Sequence, residues 1–224
     1  MLCVTLMPET TAAALQGLAE AARAGAWAEV RLDAMREFDL DRLLANPPCP
    51  VIITYRPRRE GGLYDGPEDA RLATLRRALE LRARFIDIEH DCAQQMTDVP
   101  TAKIILSYHN FERTPPDLPA IHARLVRTGA AVVKVAVMAN HILDTAPVLR
   151  LLRSAARPTI ALSMGPRGVI TRILAHKAPK TAGSPACAAL LPLFQKRSTR
   201  RRKPASSNRC IRCGCGARRP SSTA

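Results

Sequence analysis

The chain has 224 residues, a mass of 24.4 kDa and a formal net charge of +15. Hydrophobic residues make up 47% of it, which is too many for a chain that is disordered throughout. Uncharged apolar runs stay well short of the ~20 residues that a membrane-spanning helix needs. The N-terminus, MLCVTLMPET, lacks the basic stretch of a secretory signal, and the seven cysteines form an odd number. We therefore expect one large domain in the cytoplasm, with no role at a membrane.

The positive charge is concentrated at one end of the sequence. The last 48 residues, 177–224, contain twelve Lys and Arg residues and no Asp or Glu. Residues 1–176 contain 22 basic and 19 acidic residues, so their net charge is only +3. A surplus of this size does not indicate that the body binds nucleic acid.

The body alternates between two kinds of segment. Helical periodicity occurs over 11–24, 67–84, 116–128 and 144–156. Between these segments lie short apolar runs that predict strands, at 2–6, 28–32, 51–55, 85–88, 103–107, 132–137 and 159–163. This alternation predicts a parallel sheet, and the absence of a glycine-rich phosphate loop argues against nucleotide binding. A (β/α)8 barrel fits best, with its reactive side chains at the carboxyl ends of the strands.

Charged residues cluster in the second and third predicted strands. The second strand reads AEVRLD, in which Glu29, Arg31 and Asp33 alternate with apolar residues and so share one face. Helices cover the outer face of a parallel barrel, so these charges are better placed toward the lumen. The third strand runs into TYRPRREGG, where Arg56 lies at the strand end and Glu60 precedes a glycine pair that permits a tight turn.

The next strands add the most reactive groups. Asp87 and Glu89 share a face of the fourth strand, and His109 follows the fifth, where it could act as a general base. Lys134 interrupts the apolar sixth strand, AVVKVAVM, and a lysine there must pair, reach solvent or do chemistry. Desolvation would make its amine nucleophilic toward a carbonyl. Lys134 and His109 on neighbouring strands predict an imine-forming barrel lyase or aldolase.

Six motifs together resemble the type I 3-dehydroquinate dehydratase family over residues 2–177. They are EVRLD (29–33), TYRPRREGG (54–62), DIE (87–89), SYHNF (107–111), VKVAVM (133–138) and SMGPRGVITR (163–172). The resemblance implies a (β/α)8 TIM barrel of the shikimate pathway that dehydrates 3-dehydroquinate to 3-dehydroshikimate in aromatic amino-acid biosynthesis. It also implies a small-molecule substrate, a homodimer, and neither a cofactor nor a metal.

The resemblance implies a role for each matching position. Lys134 would form a Schiff base with the substrate ketone, and His109 would abstract the C2 proton and then protonate the departing C1 hydroxyl. Glu60 would orient His109 and tune its basicity. Arg172 would pair with the substrate carboxylate, for which a planar guanidinium is suited. The full set of implied substrate-binding residues is Glu29, Arg31, Arg56, Arg172, Ser163 and Met164.

The resemblance ends at about Lys177. The family continues with a G-S-x-x-T-like eighth strand and an A-P-G-Q-like lid loop, whereas this chain has GSP at 183–185 and no A-P-G-Q. We therefore predict a barrel domain over 1–177 with seven recognisable strands. A basic low-complexity tail over 178–224, disordered or translated out of frame, would replace the eighth strand and the lid. Two alternatives stay open: a catalytically impaired barrel, and a basic-tailed nucleic-acid-binding protein on a barrel scaffold.

Overall fold

The computed structural model describes residues 2–175 and 189–192. Eight strands are described: β1 (Leu2–Leu6), β2 (Trp27–Arg31), β3 (Val51–Thr54), β4 (Phe85–Glu89), β5 (Ile104–Asn110), β6 (Val132–Met138), β7 (Thr159–Met164) and β8 (Ala189–Pro192). Six α-helices are described: α1 (Thr11–Arg23), α2 (Leu40–Leu44), α3 (Glu68–Glu80), α4 (Leu118–Val126), α5 (Thr145–Ser154) and α6 (Val169–Leu174). The seven strands and four helices predicted from the sequence are all present.

The strands form one parallel sheet in the order β7-β6-β5-β4-β3-β2-β1-β8. Each strand from β1 to β7 lies beside its neighbour in sequence, which is the arrangement of the predicted barrel-type α/β fold. All strands run in the same direction, so their carboxyl ends meet at one edge. At that edge β5 extends beyond its predicted end, and His109 lies opposite Ala136 of β6. Lys134 lies one layer deeper, opposite Ser107.

The eighth strand corrects the sequence analysis. β8 lies inside the segment assigned to the tail and pairs in parallel with β1, from Leu2 beside Ala189 to Thr5 beside Pro192. The expectation that no later segment supplies an eighth strand is therefore wrong. Pro192 lies on β8, which is an edge strand of the described sheet, where a missing N–H is tolerated. The remainder of 178–224, including the disorder and frame predictions, lies outside the described residues.

Side chains on the two faces of the sheet form separate apolar clusters. The larger cluster packs the outer face against the helices, including Leu18 of α1, Leu75 of α3 and Val148 of α5. The smaller cluster comes from strands alone and lines the inner face, with Cys3, Ile52, Ile105, Ala136, Ile160 and Leu162 as its buried members. These apolar side chains share the inner strand faces with the charged residues, so that Ile160 lies opposite Lys134 and Ala136 lies opposite His109.

None of the described helices is long and apolar enough to cross a lipid bilayer. The three described cysteines, Cys3, Cys49 and Cys92, are buried free thiols.

Candidate active site

Lys134 is the central cation of the inner face. Its side chain is 8% exposed, and its ammonium donates to Asp87 Oδ2 at 2.8 Å and to Glu29 Oε1 at 3.1 Å. Burial alone would lower the pKa of Lys134, but the Asp87 and Glu29 carboxylates outweigh burial and raise it. The hydroxyls of Thr5 and Thr54 each donate to Glu29 at 2.8 Å. Lys134 is therefore held as an ammonium between two fixed carboxylates, whose own pKa values the positive charge of Lys134 lowers.

Arg56 fixes the second side of this carboxylate cluster. Its Nη2 donates to Asp87 at 2.7 Å, and its Nη1 donates to Glu89 at 2.6 Å and to Ser107 at 2.8 Å. Arg56, Asp87 and Glu89 are all fully or nearly fully buried. Breaking a buried pair of this kind typically costs ~3–5 kcal/mol, because a charge is left without a partner. Arg56 therefore fixes the positions of Asp87 and Glu89, and Asp87 in turn contacts Lys134.

Arg31 and Asp33 form a second ion pair at the end of β2. The Arg31 guanidinium donates to both Asp33 oxygens, at 2.8 and 2.6 Å. Asp33 also accepts the backbone N–H groups of Arg56 and Leu63, each at 3.1 Å. This carboxylate therefore aims Arg31 and ties the end of β2 to both ends of the loop that carries Glu60.

His109 and Glu60 form a dyad above the lysine layer. His109 Nδ1 lies 2.9 Å from Glu60 Oε2, and both side chains are largely buried. Burial, together with the positive charges of Arg56 and Lys134, lowers the pKa of His109 to about 2. Burial raises the pKa of Glu60 to about 7, although Arg56 opposes that change. At neutral pH the imidazole is therefore uncharged, as a general base must be.

Two glycines allow the Glu60 turn to reach His109. Gly61 has φ +71°, and a Cβ there would lie 2.4 Å from the Phe111 ring. A Cβ on Gly62 would lie 2.0 Å from the Arg56 carbonyl oxygen. Phe111 in turn stacks on His109, with ring centroids 5.8 Å apart and an interplanar angle of 12°. The EGG motif is thus a steric requirement of the dyad.

The three predicted residues from the SMGPRGVITR motif occupy different faces. Met164 packs against the inner cluster. Ser163 alternates with Leu162 and Met164 and lies on the outer face, so the structure does not bring its side chain to the lumen. Arg172 is partly buried, and its Nη1 donates to the Ser163 carbonyl at 3.0 Å. Among the described residues, its buried Nε has no hydrogen-bond partner.

Several residues of the site were not assigned a role from the sequence. The sequence placed Asp87 and Glu89 on a common face. It did not show that Asp87 contacts both Lys134 and Arg56, or that Glu89 contacts Arg56, because these contacts join different strands. Asp33 was likewise seen only as one charge on a strand face. The remaining omissions are the hydroxyl groups that fix the carboxylates, from Thr5, Thr54 and Ser107. Single hydroxyl residues carry no signal of this kind in one sequence.

Comparison with known protein families and curated relatives gives a consistent result. The sequence matches the profile of the family described as type I 3-dehydroquinase over residues 2–189. It is 38% identical over 182 residues to a 3-dehydroquinate dehydratase of Methanopyrus kandleri, covering 78% of this chain and 84% of the relative. It is 40% identical over 161 residues to the chloroplastic bifunctional 3-dehydroquinate dehydratase/shikimate dehydrogenase of Arabidopsis thaliana. That alignment covers 66% of this chain and only 27% of the plant protein.

Solved structures with the same fold agree. The chain is similar to the 3-dehydroquinate dehydratase of Geobacillus kaustophilus, with 27% identity and a TM-score of 0.68, covering 84% of this chain and 81% of that one. It also shares its fold with the Clostridium difficile type I enzyme, with a TM-score of 0.71 at 22% identity. That second similarity covers 85% of this chain and 82% of the other.

Proposed function

Because this chain belongs to the type I 3-dehydroquinase family, we propose that it dehydrates 3-dehydroquinate to 3-dehydroshikimate through a Schiff base on Lys134. The observation that carries the proposal is the placement of a buried lysine between two carboxylates, one layer below a neutral histidine. The substrate is a small molecule, and the reaction is that of a carbon–oxygen lyase in the shikimate pathway.

The first chemical step is imine formation. Lys134 gives up its proton to water, and the neutral amine attacks the C3 ketone; loss of water gives an iminium, whose positive charge the Asp87 and Glu29 carboxylates stabilise. This iminium withdraws electrons from the adjacent C2–H bond. His109 takes the C2 proton to give an enamine, and then protonates the C1 hydroxyl as it leaves as water. Hydrolysis of the imine releases the product and restores Lys134.

Substrate binding is assigned to the charged groups around this centre. Arg31 is aimed by Asp33, and Glu29 could accept from a substrate hydroxyl as well as from Lys134. Arg56 acts through the carboxylates that it holds, and Met164 supplies an apolar wall. The cytoplasmic setting and the homodimer remain predictions, and the buried free thiols are consistent with a reducing compartment.

An activity assay tests this proposal directly. The product is a conjugated enone, so purified protein should increase ultraviolet absorbance when 3-dehydroquinate is added. Two outcomes would favour the alternatives from the sequence. A folded but inactive protein indicates an impaired barrel. Salt-sensitive DNA binding that is lost on deletion of 178–224 indicates a basic-tailed binding protein.

The Glu60–His109 dyad predicts a pH dependence for the reaction. Glu60 has a pKa of about 7, so it ionises as the pH rises through neutrality and then makes His109 a stronger base. We expect kcat to rise with pH across this range. In Glu60→Gln the rise of kcat around pH 7 should disappear, and kcat at pH 8 should fall by ~10- to 100-fold. If the variant kept the same rise of kcat near pH 7, a group other than Glu60 would control the pH dependence.

Arg172 predicts a change in substrate affinity. Its unpartnered Nε is a buried donor suited to a carboxylate, and a charge-assisted bond is worth ~1.5–3 kcal/mol. We expect Arg172→Met to raise KM for 3-dehydroquinate by roughly 10- to 100-fold. The matched control is Arg167→Met, an exposed arginine of the same motif, which should leave KM unchanged. Equal effects of the two substitutions would contradict the assignment.

A further inference from the structure

Arg71 connects the helix layer to the candidate active site. It lies in the first turn of α3, yet its side chain is 0% exposed. Its Nη2 is 2.7 Å from Glu89 Oε2, and its Nη1 donates to the carbonyl of Tyr55, just beyond β3, at 2.8 Å. The guanidinium therefore lies against the carboxyl ends of β3 and β4, behind the residues that face Lys134.

The part of the Arg71 guanidinium that faces away from Glu89 contacts Glu68, a partly exposed residue of the same helix. Glu68 accepts from its Nε at 3.0 Å and from its Nη2 at 2.7 Å. Glu68 also accepts from Arg59 at 3.1 Å and from the Cys92 thiol at 2.9 Å. Arg59 immediately precedes Glu60, so the same cluster anchors the turn that presents Glu60 to His109.

From Arg71 inward, charges alternate in an unbroken series. Arg71 pairs with Glu89 at 2.7 Å, and Glu89 pairs with Arg56 at 2.6 Å. Arg56 pairs with Asp87 at 2.7 Å, and Asp87 pairs with Lys134 at 2.8 Å. We propose that Arg71 is a positioning residue, which keeps Glu89 ionised and thereby holds Arg56 and Asp87 in place for imine formation at Lys134. This inference rests on the proposed function.

The electrostatics of Glu89 explain why a second arginine is required. Burial raises the pKa of Glu89 above its ordinary value even with Arg56 and Arg71 both present, so the two arginines do not fully offset the effect of burial. Without Arg71, the pKa of Glu89 should rise further, which favours its protonated form and loosens its hold on Arg56. The loss of that negative charge should lower the pKa of Lys134. The other charged or titratable groups facing Lys134 are Cys3, Glu29, Arg56, Asp87 and His109.

The test measures borohydride trapping of the 3-dehydroquinate adduct as a function of pH, together with steady-state kinetics, on the full chain. Trapping needs the neutral amine, so its pH midpoint follows the pKa of Lys134. In Arg71→Met we expect the midpoint to move down by about half a pH unit or more, and kcat to fall roughly 10-fold or more. Glu89→Gln, which mimics the protonated carboxyl, should shift the midpoint in the same direction.

The matched control is Arg76→Met on the same helix. Arg76 pairs with the exposed side chain of Asp98 at 2.7 Å on the surface. We expect its trapping midpoint to equal that of the wild type. An unshifted or raised midpoint in a folded Arg71→Met protein would overturn the role assigned to Arg71.

Arg71→Met could fail to fold, because it leaves Glu89 with one partner fewer. The double variant Arg71→Met/Glu89→Gln removes both charges and avoids that penalty. If Arg71 acts through Glu89, the double variant and Glu89→Gln alone should give the same midpoint, and a clear difference between them contradicts the inference.

A wild type that gives no adduct at any pH overturns the proposed function and this inference with it. Normal wild-type trapping with unshifted variants overturns the inference alone.

Discussion

Replacing Lys134 by alanine should reduce the dehydration rate by at least ~10⁴-fold, because the imine cannot form. The substitution also leaves Glu29 and Asp87 buried without their shared cation. We therefore expect the free energy of unfolding to fall by ~3–5 kcal/mol. Steady-state kinetics and thermal unfolding measure the two effects separately.

A second substitution separates the chemistry of Lys134 from its charge. Lys134→Arg keeps a cation beside Glu29 and Asp87 but has no amine that can form an imine at neutral pH. It should be as inactive as Lys134→Ala and more stable. Residual activity within 10-fold of the wild type in either variant would show that the reaction does not pass through this lysine.

Replacing His109 by alanine should lower kcat by ~10²- to 10⁴-fold, the usual contribution of a positioned general base. Imine formation does not require this proton transfer, so the substrate should still be trapped on Lys134 by borohydride. The combination of normal trapping with slow turnover is the specific signature expected. Trapping experiments and kinetics on the same preparation would provide it.

A histidine nearby offers the control for this variant. His90 follows β4, and its ring lies 5.3 Å from Tyr108 on the neighbouring strand. His90→Ala should keep kcat within a few-fold of the wild type. If His109→Ala also lost trapping while remaining folded, His109 would be acting in imine formation and our division of roles would be wrong.

The sequence predicted the strands because apolar residues and helical segments alternate with a regular period. The same alternation put Glu29 and Arg31 on the inner face and put Asp87 on the same face as Glu89, because side chains alternate with a period of two along a strand. The sequence alone did not predict which face of the sheet a side chain at the end of a strand occupies. Ser163 belongs to a matching motif, yet it alternates with the inward-facing Leu162 and Met164, so its side chain lies on the face covered by helices.

Other features depend on contacts between distant parts of the chain. Asp33 accepts backbone N–H groups from a loop that is more than twenty residues away in the sequence, and no pattern in β2 predicts these contacts. Arg71 occupies an ordinary helical position, where it would be taken for a surface charge. The eighth strand was missed because it has only three apolar residues and a proline, which is too short a segment to show a period.

Mass spectrometry of the borohydride-reduced complex tests the central claim most directly. The protein is incubated with 3-dehydroquinate, reduced, digested and mapped peptide by peptide. We predict a single covalent adduct on the peptide that contains Lys134, with Lys103 and the lysines of 177–224 unmodified. Absence of an adduct on folded protein, or an adduct on any other lysine, would contradict the account.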